Sequence, residues 1–409
     1  MHLPSLLTRR QFNLTSLASL GLSLTGLGGC KKKKSSKFIM GVLSPKTGAD
    51  SQVGISCEHG AKLAAELLKE LNLDIDLLYG DTESSVDQGR TKAERLIGQG
   101  AHLLIGAHHS GVTSAIAQVC EQRQIPLVVN ISASPDLTRQ GYQYLFRNFP
   151  TTENLAENGL NLMEKLFNNT KTYPHTAAIL HINDTYGKSM CESFVSGLSR
   201  HVFPFKILDL IRYDPRTQDL SSEVGRIKSC KADLLIPITR LNDAILMLRE
   251  CIKQRYHPMG IISPGSPGMY EKQFYKTLGT HSDYCITNTA WYDPTSLLYK
   301  KAAKSFYQMF PHSQFDLNVA FTFEAVWLAA DAYRRAETND REALKEALKT
   351  TYITERLVYG GPISFDSEGQ AKNIGSLSVQ NFRGEPKIIL PSELAQQNPI
   401  FPFPSWQKV

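Results

Sequence analysis

Two successive series of short apolar runs, each run followed by a segment with apolar residues at helical spacing, constrain this chain more than any other feature. A parallel strand covered on both faces reads as an unbroken apolar run, and the helix crossing over it carries a single apolar stripe. In the first series, residues 38–43 read as a strand. Residues 58–71 read as a helix with Ala61, Ala64, Leu67, Leu68 and Leu71 on one face. Strands at 75–79, 102–106 and 125–130 then alternate with helices at 86–98 and 112–122. A second series opens after Phe149-Pro150-Thr151-Thr152. It has helices at 153–167 and 242–255 and strands at 176–182, near 232–237 and at 259–263. A long helix at 317–335 and the turn Gly360-Gly361-Pro362 precede a short β tail. The pattern predicts an α/β chain with two doubly wound lobes, and 409 residues suit two cores better than one.

The net charge of +6 points toward a polyanion-binding surface until its location is read. Arg9 and Arg10 supply two charges, and Lys31, Lys32, Lys33, Lys34 and Lys37 supply five, which leaves minus one for the rest. The folded body is near neutral, so no nucleic-acid partner is expected. The first thirty residues read as an export address. Thr8-Arg9-Arg10-Gln11-Phe12-Asn13-Leu14 resembles a twin-arginine motif, and the apolar run at 14–27 is too short and dilute to span a bilayer. Leu27-Gly28-Gly29-Cys30 resembles a lipobox, in which the Cys30 thiol takes a diacylglycerol. The expectation is a signal at 1–30 with Cys30 lipidated, a lysine-rich tether at 31–37, and anchoring at the extracytoplasmic, periplasmic side of the membrane. Lysines beside the membrane favour anionic headgroups by about 1 kcal/mol each.

Six further cysteines (Cys57, Cys120, Cys191, Cys230, Cys251 and Cys285) form no CxxC pair and no zinc spacing. No metal site and no cofactor are expected, and the disulfide state stays open. No GxSxG, HExxH, Walker or GxGxxG string occurs, so the chain is not expected to be an enzyme.

Five ordered stretches carry a specific resemblance. They are Val42-Leu43-Ser44-Pro45-Lys46-Thr47-Gly48 with His59-Gly60-Ala61, Ile105-Gly106-Ala107-His108-His109-Ser110, and Ile125 through Asn130 continued by Ile131-Ser132-Ala133-Ser134-Pro135. Asn183-Asp184-Thr185-Tyr186-Gly187 and Gly361-Pro362-Ile363-Ser364-Phe365-Asp366 complete the set. Together they resemble the type I periplasmic binding proteins of the branched-chain amino-acid and amide group, over essentially the whole chain from Phe38. The resemblance implies two Rossmann-like lobes joined by three crossovers near Phe149, Asn288 and Ser364. Lobe one would join 38–149 with 289–363, and lobe two 150–288 with 364–409. A small polar solute would lie between them, at the carboxyl ends of the strands.

The resemblance also implies the site residues. Ser110 would offer a hydroxyl and a helix N-terminal amide to a ligand carboxylate, although as a residue type it also suits a plain helix cap. Ile131, Ser132, Ala133 and Ser134 would contribute backbone and hydroxyl groups, Tyr186 an aromatic face, and Arg240 a guanidinium suited to carboxylates. His109 and Val53 would stand at the rim. His108 and His109 invite a metal reading, yet no acid or cysteine completes a ligand set by spacing. Amino-acid-binding relatives place a threonine where Ala133 stands and an acid where Gly265 stands, both holding the ligand ammonium. Only Glu271 could restore such an acid nearby. Function then follows as delivery of an amino acid, amide or small carboxylate to an ABC-transporter permease by lobe closure. The alternative is a ligand-sensing receptor or accessory subunit built on the same closing motion.

Overall fold

The computed structural model describes residues 37–404 apart from 49, 202 and 204. The export signal, Cys30 and Lys31 to Lys34 lie outside the described residues. The first sheet is built from β1 (Phe38–Ser44), β2 (Ile75–Asp81), β3 (Leu103–Ile105), β4 (Leu127–Val129) and β5 (Leu145–Arg147). Its order is β2-β1-β3-β4-β5 and every pairing is parallel. The crossovers are α1 (Ser51–Glu70), α2 (Val86–Gly98) and α3 (Ser110–Gln122). Strand β3 is Leu-Leu-Ile and β4 is Leu-Val-Val, all buried, which is why such short strands hold the middle of a sheet.

The chain then enters α4 (Thr152–Thr170), closed at its start by a reciprocal capping box between Thr151 and Asn154. The second sheet follows: β6 (Thr176–Ile182), β7 (Lys206–Tyr213), β8 (Leu234–Ile238), β9 (Gly260–Ser263) and β10 (Ile286–Ala290). Helices α5 (Thr185–Leu198), α6 (Ser221–Cys230), α7 (Leu241–Lys253) and α8 (Lys272–Leu278) separate these strands. After β10 the chain returns as α9 (Leu297–Met309), α10 (Leu317–Ala336) and α11 (Arg341–Lys349), with α10 packed along α1. It ends in β11 (Ser376–Phe382) and β12 (Glu385–Leu390), which pair antiparallel and extend the second sheet to β12-β11-β10-β9-β8-β6-β7. Gln370 bridges Arg147 in parallel, so the segment up to Ala371 stays against the first sheet before β11 joins the second.

This is a two-lobe, doubly wound α/β fold, as the alternation of patterns predicts. Helix α1 starts at Ser51, seven residues before the start at residue 58 that the sequence pattern predicts. Gly54 lies in that first stretch, and a Cβ there would sit 2.2 Å from the Pro45 carbonyl oxygen. The close approach of α1 to the first loop, rather than propensity, carries these turns. All six described cysteines are free thiols. Among the described residues no helix is long and apolar enough to cross a membrane.

Candidate functional site

The site begins with the loops at the carboxyl ends of β3 and β4. Residue 109 is the N-cap of α3 and provides no side-chain cap, so Ser110 is the first helical residue and not the cap its residue type also suits. The Ser110 hydroxyl accepts the Ser134 N–H at 3.3 Å, which leaves its own proton to donate elsewhere. Ser132 donates to the Ala107 carbonyl at 2.7 Å and shares a 2.5 Å contact with Thr113, tying the two loops together. Beneath them Arg147, fully buried at the end of β5, donates to the Ser134 carbonyl at 2.6 Å, to the Ser132 carbonyl at 3.3 Å and to Gln370 at 2.6 Å. Burial, with a further push from Arg139, lowers this guanidinium to about 9, and loop carbonyls rather than a carboxylate support it. Arg147 is therefore the residue that shapes the 131–134 loop.

The opposing wall comes from the second sheet. Asp184 caps α5 by accepting the Gly187 N–H at 2.8 Å, which sets Tyr186 in the first turn, facing the first lobe. The Tyr186 hydroxyl donates toward Ser266 at 3.2 Å, and burial pushes the phenol up to about 12. Arg240 precedes α7, at the end of the fully buried strand β8. Its guanidinium meets Asp184 at 2.5 Å and lies 5.8 Å from the Tyr186 ring centre. Burial works against this charge, while Asp184 and then Asp50 sustain it. Gly265, at φ +138°, and Gly268, at φ +107°, turn the loop after β9. A Cβ on Gly268 would come within 2.9 Å of the Arg240 backbone, and one on Gly265 within 3.3 Å of the Asn288 carbonyl. The backbone thus favours glycine at both positions.

Between the walls lies a narrow cavity of about 30 Å³. Ser110, Ile131, Ala133, Tyr186 and Arg240 all line it, together with His108 and Gly265. Ser132, Ser134, Val53 and His109 do not. The Ser132 hydroxyl is consumed by the loop network, Ser134 lies behind Ser110, and Val53 belongs to the α1 core. His109 turns aside to Asp50, 3.0 Å away. Residues the sequence reading missed complete the wall: Phe149, Leu155, Pro267, Tyr270, Thr289 and Leu317. The apolar character of most of them left no local signal, since core residues look the same. Among the described residues no carboxylate lines the cavity.

Four acids stand behind the wall. Burial raises Asp50, but the His109 hydrogen bond and neighbouring positive charge win and hold it well below the ordinary carboxylate range. Burial also drives His108 down to about 3, so it is neutral. Glu271, 5 % exposed and with one carboxyl oxygen unpartnered, is pushed well above its ordinary value by burial, then by Asp316 and Asp50. Asp316 caps α10. Asp184 is the acid paired with Arg240.

A family model described as periplasmic binding protein matches residues 39–381. A Leu/Ile/Val-binding protein homolog of Brucella melitensis is 23 % identical over 350 residues, covering 82 % of this chain and 89 % of its own. The Leu/Ile/Val-binding protein BraC3 of Rhizobium johnstonii is 24 % identical over 316 residues, covering 76 % and 83 %. Among solved structures, a leucine-binding protein of Thermotoga maritima superposes with a TM-score of 0.74 at 19 % identity, covering 86 % of this chain and 97 % of its own. A solute-binding protein of R. palustris in complex with benzoate gives 0.73 at 16 %, covering 87 % and 96 %. These last two likenesses establish the fold.

Proposed function

We propose, on the premise that this chain belongs to the periplasmic binding protein family, that it closes its lobes around a small carboxylate with an apolar body and hands that solute to an ABC permease. It is a binding protein, not an enzyme. The observation that carries the reading is the composition of the cavity wall. Ser110 and Arg240 face it as hydrogen-bond donors from opposite lobes, among Ile131, Phe149, Leu155, Tyr186, Tyr270 and Leu317. A carboxylate is the partner a hydroxyl and a guanidinium recognise together, and the apolar wall suits an aliphatic or aromatic body. An ammonium would meet no carboxylate in the wall and would stay unpaired at a cost of several kcal/mol. Relatives named for leucine, isoleucine and valine and a fold neighbour holding benzoate delimit the range of bodies to test.

Closure follows from two-lobe contact, because a solute touching both walls stabilises the closed form by its differential affinity. The lipid anchor at Cys30 and the export signal before it would hold the protein at the outer face of the cytoplasmic membrane, which raises its effective concentration near the permease. The test is calorimetry at fixed pH with leucine, 4-methylpentanoate and benzoate. Binding of the two acids at least as tight as that of leucine supports the reading. Leucine binding that weakens by more than about 3 kcal/mol on removal of its ammonium refutes it, since that is the scale of a broken charged contact.

A further inference from the structure

We propose that Asp50, His108 and His109 form a binding site for a divalent transition-metal ion of the zinc type at the rim of the cleft. One carboxylate oxygen and one ring nitrogen from each imidazole lie within 4.8 Å of one another. Asp50 and His109 already meet at 3.0 Å, with their side chains 10 % and 14 % exposed. An ion about 2.0–2.2 Å from each ligand draws ligand atoms to roughly 3–3.5 Å apart, so one pair is in place and the His108 nitrogen has to close in on it from within 4.8 Å. The acid that sequence spacing did not supply arrives from the N-terminal end of α1, brought beside the β3–α3 loop by the sheet order.

The chemistry of the set points the same way. Nδ1 of His108 is buried and has no hydrogen-bond partner, an arrangement proteins avoid unless something else fills the place; His109 would ligate through Nε2, the nitrogen that meets Asp50. Ser84 donates to Asp50 at 3.1 Å and fixes the carboxylate from outside, the role of a partner that orients a metal ligand. Two imidazoles and one carboxylate suit zinc, nickel or copper and not calcium or magnesium, which take oxygen ligands. Three protein ligands leave a coordination position open, and because His108 also lines the cavity that position is next to the solute. Metal binding does not depend on the proposed solute; only coupling between the two rests on it.

The test uses the full chain free of any histidine tag, stripped with a chelator and titrated calorimetrically with Zn²⁺, Ni²⁺ and Mg²⁺ at neutral pH. Expected are one-to-one binding of Zn²⁺ and Ni²⁺ and none of Mg²⁺. His109→Ala and Asp50→Asn should each weaken Zn²⁺ by more than about 100-fold, beyond the roughly 10–100-fold that an outer-shell partner contributes. His175→Ala, on the exposed surface, should change nothing. A Co²⁺ complex should show the strong visible bands of a low-coordinate site, lost in either cluster variant. Should His109→Ala fail to fold, Asp50→Asn keeps the comparison decisive. Absent zinc uptake, or uptake that survives both substitutions unchanged, overturns the proposal. Solute binding measured with chelator present reads the cleft separately, so a protein that takes up no zinc yet binds its solute overturns the metal site and leaves the proposed function standing.

Discussion

Arg240→Met separates what Arg240 does for the fold from what it does for a solute. Methionine keeps most of the stem that packs beside Tyr186 and removes only the guanidinium. In the unliganded protein the loss falls on Asp184, whose side chain is 26 % exposed and keeps its cap bond to Gly187. A fully buried pair costs 3–5 kcal/mol when broken, but water reaches this carboxylate, so the expected loss is about 1–2 kcal/mol. The double variant with Asp184→Asn should recover part of that loss, because neither charge is then stranded. For a bound carboxylate the guanidinium supplies a charge-assisted bond worth about 1.5–3 kcal/mol, or roughly 10- to 150-fold in affinity. A primary amide of the same shape should lose less than about fivefold. Urea denaturation measures the first number, and calorimetry with 4-methylpentanoate and its amide measures the second. If acid and amide weaken equally, or the acid does not weaken at all, Asp184 consumes the whole charge and Arg240 is only a strut.

Two further outcomes follow from individual contacts. Ser110→Ala should weaken carboxylate binding by about 1–3 kcal/mol and also cost about 1 kcal/mol of stability, because the buried Ser134 N–H loses its acceptor; unchanged affinity with lowered stability would make Ser110 a purely structural brace. Glu271→Gln should stabilise the protein at pH 8 and have little effect at pH 4. The folded carboxyl is raised, so its stability contribution is full below the unfolded value near 4.3 and falls as pH rises toward the folded value. A stability difference between wild type and variant that does not grow between pH 5 and 8, followed by thermal unfolding, would contradict this.

The fold was legible where the chain spells out its burial. Strands β3, β4 and β8 are unbroken apolar runs, and their positions can be read directly. Strand β7 is the opposite case: among the described residues it pairs only with β6, and its Leu208 and Leu210 are exposed while Ile211 and Tyr213 are buried. Its apolar stretch, Ile207, Leu208, Leu210 and Ile211, is broken by Asp209 and matches its burial poorly, so tertiary pairing decides it. At the site, Ser110, Ile131, Ala133, Tyr186 and Arg240 reach one cavity because each sits where a strand hands over to a helix, a position marked in the sequence. Tyr270, Leu317 and Phe149 reach it from separate connections, and only the packed lobes bring them together. The same holds for Asp50 beside His109, which no spacing rule could pair.

The acids around the cleft explain why its wall can favour an anion although acids outnumber the one guanidinium. Asp50 is committed to His109 and Ser84, Asp184 to Arg240 and the Gly187 amide, and Asp316 to Val319 and Ser56. Each carboxylate is therefore satisfied before a solute enters, and none lines the cavity. Glu271 is the exception, with an unpartnered oxygen, but burial and its acidic neighbours keep its proton on. A protonated carboxyl is a neutral group and offers an ammonium no charge. To serve an amino acid it would have to ionise on binding, against the same burial and the same two acids, and that work would be subtracted from the affinity. What the wall offers without such a cost is the Ser110 hydroxyl and the Arg240 guanidinium, both of which can donate to an acceptor with negative charge.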